Sequence, residues 1–105
     1  DEKEKSIISA FRLTYPIKLN EETEIIYKNY LSQNAEYATI FATEKNEEKV
    51  LKHLLDNFDL DSEFCLLLYE KASKNGFLNL QQILSQKQKN TGFDEINFLY
   101  QEILG

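Results

Sequence analysis

The stretch 62–84, SEFCLLLYEKASKNGFLNLQQIL, restricts the fold more than any other part of the chain. Phe64, Cys65, Leu68 and Ala72 recur at i, i+1, i+4 and i+8, the spacing of a helix with one buried face. Leu67 and Tyr69 widen the stripe, so this helix is expected to meet neighbours on two sides. Asn75-Gly76 supplies a left-handed stop, because glycine takes φ > 0 without a Cβ penalty. Leu80, Ile83 and Leu84 then restart a helical stripe. The spacing predicts a helical hairpin, and whatever else the chain forms must pack against it.

Composition points the same way. One Pro, three Gly and no Trp in 105 residues, with abundant Leu, Ile, Glu, Lys and Gln, favour helices joined by short turns. A chain of this length fits one domain with one modest core, here taken as residues 1–105 or as part of a longer chain. No run of about 18 apolar residues is present, so no membrane span is expected. The charged opening Asp1-Glu2-Lys3-Glu4-Lys5, without an initiator Met, suits an excised domain or a processed chain. A soluble protein is expected, cytoplasmic or secreted after processing.

The spacing of apolar residues predicts about seven short antiparallel helices, an all-α bundle or a short stack of helical repeats. Ile7, Ile8, Phe11 and Tyr15 mark the inner face of a first helix at 4–14, which Pro16 ends. Lys18-Leu19 is an extended link, and Asn20 caps a second helix bearing Ile26, Tyr27, Tyr30 and Leu31. That helix should stop near Gln33-Asn34. A third, at 35–44, turns Tyr37, Ala38, Phe41 and Ala42 inward. Asn46 is the expected cap of a fourth, built on Val50, Leu51, Leu54, Leu55 and Phe58. Asp61 or Ser62 caps the central helix. After the hairpin, a polar stretch at 86–92 carries a turn signal at Asn90-Thr91-Gly92. Ile96, Leu99, Tyr100 and Ile103 predict a last helix at 94–104.

A shift of 30 residues lays Ala42-Thr43-Glu44-Lys45-Asn46 on Ala72-Ser73-Lys74-Asn75-Gly76, Val50 on Leu80 and Leu54 on Leu84. In both units an Ala closes one helix, a residue tolerant of φ > 0 turns the chain, and an amphipathic helix departs. The run from Ala72 to Leu80 resembles the ankyrin-repeat family, as do Thr39-Ile40-Phe41-Ala42 and the helix Val50-Leu51-Lys52-His53-Leu54-Leu55-Asp56-Asn57. The resemblance covers residues 39–86. The family's Thr-Pro-Leu-His opening is absent from both units, and its period is about 33 residues. The resemblance implies a degenerate pair of stacked helical units that binds other proteins through inter-unit fingers and inner helices.

The side chains argue against chemistry. Asp59, Asp61, Glu63 and Glu70 fall on calcium-loop positions 1, 3, 5 and 12, but Phe64 stands where the loop needs Gly. They read as helix-capping acids. His53 and Cys65 are the single residues of their types, too few for a zinc site, and Cys65 sits at a core position without basic neighbours in sequence. No catalytic residue, metal site or cofactor is expected.

Charge restricts partners. The net charge is −6, and residues 1–63 hold the whole excess, with 14 acids against 8 bases. Such a surface repels phosphate backbones, so no nucleic-acid partner is expected. The expected function is a protein–protein interaction module or helical scaffold segment without catalytic activity. The alternative is an acidic regulator or inhibitor that presents carboxylates to a basic protein surface. Four of six tyrosines also fall in the first 37 residues, and Tyr offers contact area at little entropic cost. The expected protein-binding residues are Tyr37, Glu44, Phe58, Asp59 and Asp61, on the third helix and the turn before the central one.

Overall fold

Among residues 1–90, which the computed structural model describes (side chains through residue 87), five helices and no strand occur. They are α1 (Glu2–Thr14), α2 (Glu21–Glu44), α3 (Glu48–Asn57), α4 (Ser62–Lys74) and α5 (Leu78–Asn90). The all-α class stands; among the described residues, where six of the about seven expected helices fall, five occur. Two expected helices are one: α2 runs to Glu44 with non-helical geometry only at Asn34 (φ −133°, ψ 22°). The break in helical geometry falls at Asn34, where the boundary between the two was expected, but the chain kinks there and continues as helix instead of stopping. The helix expected at 94–104, with Thr91 and Gly92 of the turn signal, lies outside the described residues, and α5 extends to Asn90 through the polar stretch.

Two of the expected caps are in place. Asn20 Oδ1 accepts from the Thr23 N–H at 2.8 Å, and Asp61 Oδ1 from the Phe64 N–H at 2.7 Å. These bonds satisfy donors that a helix start leaves unpaired. Asn46 does not cap α3. It stands at φ 56° as the turn residue, and Glu47 begins the helix with no side-chain cap bond. Lys18 is likewise left-handed (φ 58°) and not extended, because the chain must reverse after Pro16 to lay α2 back along α1.

The two turns after α2 and α4 use the same bonds 30 residues apart. The Phe77 N–H donates to the Ala72 carbonyl at 2.9 Å, and the Gly76 N–H to that of Ser73 at 3.1 Å. The Glu47 N–H donates to the Ala42 carbonyl at 2.8 Å, and the Asn46 N–H to that of Thr43 at 3.4 Å. This is the Schellman arrangement, and it requires φ > 0 at the residue before last, supplied by Gly76 (φ 71°) and Asn46. Burial follows the same shift: Ala35 and Cys65, Ala38 and Leu68, Ala42 and Ala72, Val50 and Leu80, Leu54 and Leu84 are all buried. Small residues on α2 thus stand where α4 carries larger ones.

The reason lies in α1, whose inner face is not the expected one. Ser6, Ser9, Ala10 and Leu13 are buried, while Ile8 is 54% and Tyr15 41% exposed. Ile7 and Phe11 are half-buried. Ala35, Ala38 and Ala42 of α2 are buried as well, and the Ser6 hydroxyl of α1 meets the α2 backbone directly at Ala38. Ile7 and Ile8 flank this contact and line the surface on either side of α1. Three further expectations fail for related reasons. Ile26 (58% exposed) and Leu67 (59%) lie on solvent faces, and Tyr37 (41%) points away from the seam that Ala38 and Ala42 fill. Elsewhere the pattern holds: Val50, Leu51, Leu54, Leu55, Cys65, Leu68, Ala72, Leu80 and Leu84 form the core, with Phe58, Leu60, Phe64 and Phe77 packed on it.

Candidate functional site

Tyr37, Ile40, Phe41 and Glu44 stand at i, i+3, i+4 and i+7 on α2, so they form one stripe along the helix. Lys3 and Ile7 of α1 face them across a groove of about 270 Å³. Its floor and walls are apolar. Phe41 is fixed by an edge-to-face contact with Phe11, ring centroids 6.2 Å apart at 71°. Its rim is charged. The Lys3 ammonium lies 5.9 Å from the Tyr37 ring centroid, within reach of the ring's negative face. At the other end Glu44 Oε1 accepts from Lys71 Nζ at 3.0 Å, joining α2 to α4. Both side chains are about half-exposed (46% and 48%), so water screens the pair and it contributes at most about 1 kcal/mol. Glu44 can therefore leave Lys71 for a ligand at small cost.

The five expected binding residues separate into two groups. Tyr37 and Glu44 line this groove; Phe58, Asp59 and Asp61 do not, and stand together on the turn between α3 and α4. On that turn Phe58 packs against the core, and the Asp61 carboxylate holds the first turn of α4. Asp59 is exposed. Lys3, Ile7, Ile40 and Phe41 were missing from the expected set. The i, i+3, i+4, i+7 stripe carried the α2 residues, but only the docking of α1 brings Lys3 and Ile7 opposite them.

A second groove, of about 350 Å³, lies along the same helix pair, lined by Lys5, Ile8, Ser9, Ile26, Tyr27 and Tyr30. The Tyr30 hydroxyl at its edge donates to the Glu2 carboxylate, a bond that raises its pKa to about 12. Ile7 and Ile8 thus serve different grooves on either side of α1.

Cys65 is buried (2% exposed), and burial raises its thiol pKa, so it stays protonated and a poor nucleophile. Burial lowers the pKa of His53, a half-buried residue on α3 whose Nδ1 lies 3.5 Å from Asn57 Nδ2. Among the described residues no group of three or more His, Cys, Asp or Glu side chains is placed to hold a metal ion, and no helix is long and apolar enough to cross a membrane.

Compared with protein-family models, characterised proteins and solved structures, the chain has no match.

Proposed function

We propose that this chain is a protein–protein interaction module without catalytic activity, built as a short stack of helical units, that holds a partner segment in the α1–α2 groove. The observation that carries this reading is Tyr37: a large aromatic side chain 41% exposed, set over an apolar floor and between rim charges of both signs. Such an aromatic in a concave setting is the usual energetic centre of a protein interface. Glu44 borders the same groove, and Asp59 and Asp61, on the separate turn between α3 and α4, add to the acidic field that would steer a partner with a basic surface. Phe58 supports that turn from beneath. The resemblance to ankyrin repeats agrees with this use, since that family meets partners with inner helices and inter-unit turns.

The acid excess of residues 1–63 favours the second reading, an acidic regulator that binds a basic protein surface through carboxylates alone. The two differ in what a partner isolated by affinity capture and identified by mass spectrometry should do with the variants. Groove binding predicts that Tyr37→Ala weakens affinity by about 2 kcal/mol, roughly 30-fold, with shallow dependence on salt. Capture by carboxylates predicts that Asp59→Lys has the larger effect and that affinity falls steeply with ionic strength. Unchanged affinity for folded Tyr37→Ala and Asp59→Lys would refute both.

A further inference from the structure

The bend in α2 is occupied by a side chain from another helix. In an uninterrupted α-helix the Ala38 N–H bonds the Asn34 carbonyl. Here the Ser6 hydroxyl of α1 engages both: it donates to the Asn34 carbonyl at 2.6 Å and accepts from the Ala38 N–H at 3.2 Å. Ser6 is fully buried, so no water competes for these bonds. One turn earlier the Asn34 side-chain amide donates to the Tyr30 carbonyl at 3.0 Å, the carbonyl that the Asn34 N–H would meet in a regular helix. Side chains therefore take part in the α2 ladder in two successive turns, where Asn34 departs from helical geometry. An inserted side chain is one of the few physical causes of a helix bend.

We propose that Ser6 is a positioning residue, a wedge that sets the bend of α2 and thereby the width of the grooves on either side of α1. Ser6 immediately precedes Ile7, and Ala38 immediately follows Tyr37, so the wedge lies between the two walls of the Tyr37 groove. The second groove takes its α2 residues (Ile26, Tyr27 and Tyr30) from before the bend, whereas Tyr37, Ile40, Phe41 and Glu44 come after it. One hydroxyl thus couples the seating of α1 to the relative direction of the two halves of α2. Coupling of this kind is reciprocal: whatever fills the Tyr37 groove and holds α1 down also holds the bend. The proposal does not depend on the groove having a protein partner, since it concerns the free chain.

Two measurements on the free protein test it. Hydrogen exchange of the unaltered chain, followed by NMR, reads the wedge directly. If the Ala38 amide is held by α1, it exchanges when α1 lifts, at the rate of the α1 amide of Ala10 and on the order of tenfold faster than the Ala42 amide further along α2. Exchange of Ala38 in step with Ala42, and slower than Ala10, would overturn the proposal. The second measurement is the distance between spin labels at positions 22 and 45, in a Cys65→Ala background, with and without Ser6→Ala. Removal of the hydroxyl lets Asn34 and Ala38 close their own bond, so the distance should lengthen by a few Å, roughly the rise of one or two helical residues. An unchanged distance in folded Ser6→Ala would show that the bend belongs to Asn34 and not to the wedge. If Ser6→Ala fails to fold, the exchange rates of the unaltered protein decide alone.

Discussion

Gly76 and Asn46 hold the same position in two copies of one turn, and the physical cost of that position differs between them. Both stand at φ > 0 (71° and 56°), a region that a Cβ disfavours. A Cβ built on Gly76 meets no heavy atom within 4 Å, so the cost of Gly76→Ala is conformational and not steric crowding by neighbours. It should destabilise by about 1 kcal/mol. Asn46→Gly should do the reverse, stabilising by up to about 1 kcal/mol, because it relieves the same strain where it is now present. Paired denaturant melts check both signs. A neutral Gly76→Ala would mean that a Cβ costs nothing in this turn, and the conformational argument for both substitutions would fail.

At the scale of the element, the helices start in unequal ways. Asn20 and Asp61 bond the third residue beyond themselves through their side chains, whereas Glu47 at the head of α3 makes no such bond. Asp61→Ala should therefore cost about 1 kcal/mol, and Glu47→Ala close to nothing on the capping account. Urea midpoints for the two variants measure the difference. Equal losses would mean that the acids act through the helix dipole, which both share, and not through the cap bond. The contrast explains why capping signals located α2 and α4 well and misplaced the start of α3. Asn46 has the composition of a cap, but its backbone is committed to the turn from α2, and one residue cannot be both left-handed and a cap in extended geometry.

For the whole molecule, Cys65 is the convenient reporter. It belongs to a core that draws on α1 to α5, so its thiol is reached only when that core opens. Native labelling by a thiol reagent should be slower than labelling in denaturant by at least about 100-fold, given typical domain stabilities. Burial alone, by raising the thiol pKa, accounts for part of that difference; repeating the comparison at higher pH, where more thiolate forms, separates the two. Comparable rates would place Cys65 outside the core and undo the packing of α4.

Some of this architecture needs only the order of residues. The hairpin of α4 and α5, its turn at Gly76, the cap at Asp61 and the core face of α3 follow from spacing at 3 and 4 residues, left-handed tolerance at one glycine and one carboxylate before an apolar run. These are local rules, and the local chain obeys them. What the order of residues does not contain is which helix face meets another. Ile7 and Ile8 are more apolar than Ser6, Ser9 and Ala10, and hydrophobicity alone turns α1 the wrong way. The docking of α1 on α2 decides otherwise, because Ser6 finds partners in the bent ladder at Asn34 and Ala38. The same docking creates the Tyr37 groove, whose Lys3 and Ile7 stand thirty or more residues away in the chain from the aromatic they face.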